Sequence, residues 1–139
     1  MLEWRFNTYV NLSGRRDVQT DIDRLDDRGL ANFAAQVKYL AIADICDWHE
    51  PKAKKLVGPD GLYEIRFKAH NNATRAIGFF GPGPQEFTIL IICNHKGNVY
   101  KPAHAIETAA SRRKQIHAEV AGFAPLTIDG EDYPPTDEA

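Results

Sequence analysis

The sequence predicts an α+β domain: a small, mostly antiparallel sheet, an N-terminal helical hairpin and a C-terminal helix. Three observations carry this. Residues 62–69 alternate strictly between apolar and polar, the period of a half-buried strand. Residues 18–41 carry apolar stripes at helical spacing. Phe87–Cys93 is apolar almost throughout, as a strand covered on both faces is.

Taken in order, residues 2–10 read as a first strand. Leu2, Trp4, Phe6 and Thr8 share one face, and Glu3, Arg5, Asn7 and Tyr9 share the other. Ser13-Gly14 marks a loop. Val18, Ile22 and Leu25 make one helical stripe, with Asp17 placed to cap it and Gly29 placed to end it. Leu30, Phe33, Ala34, Val37, Leu40 and Ala41 make a second stripe, expected to stop near Trp48 because Pro51 restricts Glu50. The short link between the two predicts an antiparallel hairpin, lying as a helical layer on one side of the sheet.

In the strand over 62–69, Tyr63, Ile65, Phe67 and Ala69 face the core, while Glu64, Arg66, Lys68 and His70 project from the other face. Asn71-Asn72 reads as a hairpin turn, and 74–80 as the next strand. Gly81-Pro-Gly-Pro is a turn; it lacks the lysine and helix of a phosphate loop. Residues 105–120 are amphipathic, with Ile106, Ala109, Ile116 and Val120 on one face. The organisation expected is one domain over residues 1–120 and an acidic, proline-containing tail over 121–139, extended or partly disordered.

With 139 residues, 43% hydrophobic and 26% charged, the chain can bury a core without disulfides. Cys46 and Cys93 lack metal-ligand spacing. Cys46-Asp47-Trp48-His49-Glu50 offers ligand types but no second Cys/His pair, so no metal and no cofactor are expected. The absence of a long apolar run and of a signal-peptide pattern predicts a cytoplasmic protein with no membrane partner.

The net charge of −2 conceals a division. Residues 1–51 hold 6 Lys/Arg against 9 Asp/Glu, residues 52–120 hold 11 against 5, and residues 121–139 hold none against 5. A basic block of this kind attracts phosphates, and acidic segments can mask it. The tail is therefore either a solubilising extension or a segment lying over the basic block in competition with RNA.

The basic block also carries a resemblance. Pro51-Lys-Ala-Lys-Lys-Leu, Gly61-Leu-Tyr-Glu-Ile-Arg, Arg75 leading into Ile77-Gly-Phe-Phe, an Ile/Leu strand ending at Lys96, Pro102 and then Ile106-Glu-Thr-Ala-Ala follow one another in order. Together they resemble the RelE/ParE toxin superfamily, and within it the phage-derived, HigB-like branch, over about residues 50–118. Three positions depart from that branch: Lys96-Gly97 stands where it has a lysine pair, Tyr100 stands at a usual lysine, and Ala105 stands at its helix-start glutamate. The resemblance implies the toxin of a type II toxin–antitoxin pair, an mRNA endoribonuclease acting on the ribosome and paired with a helix-turn-helix antitoxin.

Metal-free RNA cleavage uses the 2′-hydroxyl as nucleophile, so a protein must hold the strand, stabilise phosphorane charge and assist proton transfer. Arg66 and Arg75 are candidate phosphate clamps. Arg75 should lie beside the Arg66 row, although Arg66 could instead simply pair with Glu64 or a helix carboxylate. Lys96 is a candidate for charge stabilisation or general base, His95 for general acid or base, and Tyr100 for base stacking or phosphate orientation. Lys52, Lys54, Lys55, Lys68 and Lys101 are candidate RNA contacts. Two other readings of the same fold remain: a gyrase-binding toxin, and a phage-derived protein without toxicity. Gyrase-directed relatives tend to lack this basic and acid–base cluster.

Overall fold

The computed structural model describes residues 3–135. Leu2 of the expected first strand, and residues 136–139 of the expected tail, lie outside the described residues. The elements in chain order are β1 (Arg5–Val10), α1 (Asp17–Asp23), α2 (Asp27–Ala41), a single 3-10 turn (Ile45–Asp47), β2 (Ala53–Lys55), β3 (Tyr63–Ala69), β4 (Asn72–Phe80), β5 (Glu86–Lys96), β6 (Val99–Lys101), α3 (Ala105–His117), β7 (Gly122–Pro125), β8 (Thr127–Ile128) and β9 (Glu131–Asp132). This is the expected α+β class. The main sheet runs β2-β3-β4-β5-β1-β7, with β6 added on the end of β5. Only the β1–β5 pair in that sheet is parallel among the described residues.

The β3 alternation does what its period dictates. Ile65, Phe67 and Ala69 are buried, and the Phe67 ring lies 5.1 Å from Phe33 of α2. That is the covered face. Phe79 of β4 projects from the opposite face and meets α3, with His117 at 5.4 Å and the Arg113 guanidinium at 5.0 Å from its ring. The sheet therefore has a helix on each side rather than one helical layer. Helix α3 lies over β4 and β5 on its face and reaches β1, where the Tyr9 hydroxyl donates to Gln115 and the Arg112 guanidinium lies 4.8 Å from the Tyr9 ring.

The helices start and stop differently from expectation, for local reasons. Gly29 does not end a helix; it lies in the first turn of α2. A β-carbon there would meet Asp26 Oδ1 at 2.4 Å and the Ala69 side chain at 2.5 Å, so the residue lets α2 approach β3. Asp17 is likewise inside α1, and the helix-capping carboxylate is Asp26, which accepts from the Gly29 N–H at 3.0 Å. The same oxygen accepts from the His70 N–H at 3.2 Å, tying the start of α2 to the β3–β4 turn. Helix α2 stops at Ala41, short of Trp48. Its final carbonyls are taken by two tryptophans: Trp4 N–H donates to Ala41 O at 2.8 Å, and Trp48 Nε1 donates to Leu40 O at 3.2 Å. Trp48 then packs into a cluster with Phe6, Phe80, Phe87 and Tyr63. The β3–β4 turn is His70-Asn71, both at positive φ (51° and 61°), one residue earlier than Asn71-Asn72. Positive φ at both central positions matches the twist of the flanking strands.

The largest departure concerns the segment after residue 120. Residues 122–125 pair with β1 as an edge strand, and Asn7, Thr8 and Tyr9 of β1 are buried. Leu126 is fully buried, and its N–H donates to Phe6 O at 2.9 Å. Gln19 exchanges two hydrogen bonds with Thr127, and Tyr133 Oη donates to Ala34 O at 2.9 Å. The described part of this segment thus wraps the β1 edge, at the far side of the sheet from β3.

Two outcomes test this packing. Gly29→Ala should destabilise the protein by about 1–3 kcal/mol in urea or thermal unfolding, the usual range for overpacking, even though alanine is the better helix former. A neutral or stabilising result would refute the close approach. The Asp26 carboxyl is held below the usual carboxylate range, chiefly by the His70 N–H and also by that of Gly29. A depressed native pKa gives stability that is present above the unfolded value near 4 and is lost as pH falls through the native one. Wild type should therefore lose stability on acidification below about pH 4, and Asp26→Ala should lose correspondingly less over that window.

Candidate functional site

The strand registers decide which side chains meet. Arg66 on β3 is directly opposite Arg75 on β4, and Arg75 is directly opposite Cys93 on β5. His95 on β5 is directly opposite Tyr100 on β6. Directly paired residues project from the same face, so Glu64, Arg66, Lys68, Arg75, Cys93, His95 and Tyr100 all share the face opposite α2. This is the face on which α3 also lies.

At the centre of this group is Glu64, 2% exposed. Its Oε2 accepts from Arg66 Nε at 2.8 Å and is paired with Arg75 Nε at 3.4 Å. That second contact lacks hydrogen-bonding geometry, and Arg75 Nε is fully buried with no other partner. Glu64 Oε1 accepts from the Tyr100 hydroxyl at 2.6 Å. Arg66 and Arg75 are like charges directly across a strand pair, an arrangement that repels. The shared carboxylate compensates them. Arg66 also reaches outward, where Nη1 meets the exposed Glu50 carboxylate at 3.3 Å. Arg75 Nη1 donates to Thr74 O at 3.0 Å.

The electrostatics follow from this packing. Burial opposes charge on Arg66, but the hydrogen bond and charge of Glu64, joined by Glu50, outweigh it. The Tyr100 hydroxyl is pushed well above the ordinary phenol range, first by burial and then by its bond to Glu64. The Tyr100 hydroxyl thus keeps its proton, which is committed to Glu64. His95 is half-buried, its ring 4.7 Å from that of Tyr100.

The lysines divide. Lys68 is exposed on the arginine face, farther along β3 beside Ala73. Lys54 is opposite Glu64 and within 3.8 Å of Glu50, so it too borders the cluster. Lys55 is opposite Tyr63, towards the other face. The Lys52 ammonium lies 4.5 Å from the Tyr39 ring of α2. Lys96 and Lys101 are exposed, and strand alternation turns both away from His95 and Tyr100. The structure thus gathers Arg66, Arg75, His95 and Tyr100, with Lys68 at the margin, and leaves Lys52, Lys55, Lys96 and Lys101 outside the cluster. One participant went unassigned from the sequence: Glu64, visible on the same strand face as Arg66.

Away from this face, ligand-capable atoms of Asp44, Cys46 and Asp47 lie within 4.8 Å of one another, all exposed. Among the described residues no helix is long and apolar enough to cross a membrane.

A family model described as "Phage derived protein Gp49-like (DUF891)" matches residues 20–114. The chain belongs to this Gp49-like family. The matched span contains α2, the arginine pair, Glu64, His95 and Tyr100. It stops short of the β7–β9 wrap. No curated protein and no solved structure matches the chain.

The two thiols should behave differently. Burial pushes the Cys93 thiol up to about 12, and Cys46 is exposed. A thiol-specific reagent at pH 8 should modify one thiol in the native protein, Cys46, and both after denaturation. Modification of Cys93 in the folded protein would show that this part of the sheet opens.

Proposed function

We propose that the chain is the toxin of a type II toxin–antitoxin pair, a RelE/ParE-like, metal-independent endoribonuclease that cuts mRNA on the ribosome. The observation that carries this reading is the directly opposed Arg66–Arg75 pair, with Tyr100 and His95 beside it on the same sheet face. Membership of the Gp49-like family supports it, since that family is associated with toxin–antitoxin modules. The partners that follow are mRNA, the ribosome and a helix-turn-helix antitoxin.

In this reading the RNA 2′-oxygen attacks the adjacent phosphorus and the 5′-oxygen leaves, so a 2′,3′-cyclic phosphate remains. One proton leaves the 2′-hydroxyl and one arrives at the 5′-oxygen. Arg66 and Arg75 hold the phosphate and offset charge on the phosphorane. His95 moves a proton, imidazole being the side chain suited to that work near neutral pH. Tyr100 offers a ring for stacking and an acceptor oxygen. Lys54 and Lys68 draw in the backbone.

One observation favours a second reading. Glu64 and Glu50 between them compensate charge on both arginines, which suits a same-fold protein that binds gyrase or has lost toxicity. Expression in bacteria separates these. The nuclease reading expects translation arrest with mRNA cut at discrete positions. The gyrase reading expects DNA breaks with intact mRNA, and a protein without toxicity allows normal growth. Arg66→Ala and Arg75→Ala should each restore growth, with about 1–3 kcal/mol of phosphate binding lost per side chain, the scale of hydrogen bonds to charged groups. Full toxicity in both folded variants would overturn the assigned site.

A further inference from the structure

We propose that Glu64 is the positioning residue of this site: its carboxylate sets Arg66, Arg75 and Tyr100 in one array and commits the Tyr100 oxygen to act as an acceptor towards the RNA. The inference rests on the nuclease reading above.

The carboxylate is out of reach of substrate. Only 2% of Glu64 is exposed, and both its oxygens are engaged, Oε2 by the two guanidinium groups and Oε1 by the phenol. It therefore takes no proton from RNA and touches no reacting atom. Its contribution is geometric. Arg66 is held from behind by a hydrogen bond at Nε, and Arg75 lies against the same oxygen through an ion contact at its Nε. The Nη side of Arg66 faces outward, and Nη1 already holds an anionic group there, the exposed Glu50 carboxylate at 3.3 Å. A phosphate oxygen is a second anion suited to the same position.

The phenol is governed by the same carboxylate. The Tyr100 proton points to Glu64 at 2.6 Å, so the lone pairs of that oxygen are what remain for an incoming hydroxyl. A 2′-hydroxyl, unlike a 2′-deoxy carbon, has a proton to donate there. The array thus orients the nucleophile and discriminates RNA from DNA, with His95 beside it for proton transfer.

A purely structural ion cluster would give the same contacts but different kinetics. The test uses the full-length protein with Glu64→Gln, its folding verified by circular dichroism. Two readouts are taken. The first is cleavage of a short synthetic mRNA on purified bacterial ribosomes, with kcat and KM separated. The second is the Tyr100 ionisation, followed by 13C NMR of labelled tyrosine and assigned with Tyr100→Phe. The proposal expects kcat to fall at least about tenfold with KM changed less than about threefold, as when an interaction made in the transition state is lost. It also expects the Tyr100 titration to move down by about one pH unit as the neighbouring negative charge disappears. Unchanged kcat together with an unmoved titration overturns it. Wild-type protein that leaves RNA intact defeats the nuclease reading alone; the titration then decides by itself whether Glu64 governs the phenol. Should Glu64→Gln not fold, Glu64→Asp keeps the charge and shortens the arm by one methylene. A fall in kcat of at least about tenfold is then expected from the lost reach, with the tyrosine signal moving less than in Glu64→Gln because the charge remains, and an unchanged kcat counts against the proposal.

Discussion

A buried carboxylate between two arginines is the constraint on which the charged face depends. Arg66 and Arg75 are fixed opposite one another by the β3–β4 register, and their charges would repel if left alone. Glu64 lies two residues before Arg66, so strand alternation puts it on the same face without any further device. A buried ion cluster of this kind contributes little to stability as a whole, because desolvation offsets the attraction. Its value is in orientation. Removing one member leaves the others buried and uncompensated, which ties the geometry of the arginines to the presence of the carboxylate.

The fold supplies the rest of the constraint. Helix α2 covers the β3 face carrying Ile65, Phe67 and Ala69, which fixes the pleat and so sends the charged row to the other side. A slip of one residue would exchange the two faces; the two-residue His70-Asn71 turn and the Asp26 bridge to it oppose that slip. Helix α3 lies on the opposite face over β4, β5 and β1. The short β6 strand then brings Tyr100 back beside His95 across a Gly97-Asn98 turn at positive φ. Four separate stretches of chain thereby meet within one small area.

The sequence made much of this legible, and the reasons for success and failure are physical. The β3 alternation and the α2 stripe are strong periodic signals, and both elements formed where they pointed. The arginine row followed from alternation alone. The meeting of Arg66 with Arg75 needed a register, and a turn displaced by one residue is enough to change one. Glu64 looked like an exposed partner because its strand neighbours on that face are charged; the side chains of Arg66, Arg75 and Tyr100, the last supplied by β6, close over it. Lys96 and Lys101 looked like members of the cluster by proximity in the chain, but β6 was not foreseen, and its pairing turns them away. The wrap after residue 120 was obscured by its acidic, proline-containing composition. A local signal was present all the same: Asp129-Gly130, a dipeptide well suited to a tight hairpin, takes up positive φ at both residues between β8 and β9.

Charge along the chain and charge in the site are different quantities, and the difference bears on how RNA would be held. The block over residues 52–120 has a surplus of six positive charges, yet the arginines at its centre are already matched by Glu64 and Glu50. Long-range attraction must then come from exposed lysines such as Lys54 and Lys68, and attraction of that kind weakens as salt rises. Close to the site the balance is different. A phosphate approaching Arg66 replaces Glu50, a 61%-exposed side chain that is free to swing aside, while Glu64 stays in place behind. One carboxylate is exchangeable and the other is not. The exchange would exclude weak anions that bind the guanidinium no better than Glu50 does, and would favour a polyanion that gains contacts at several points along the face at once.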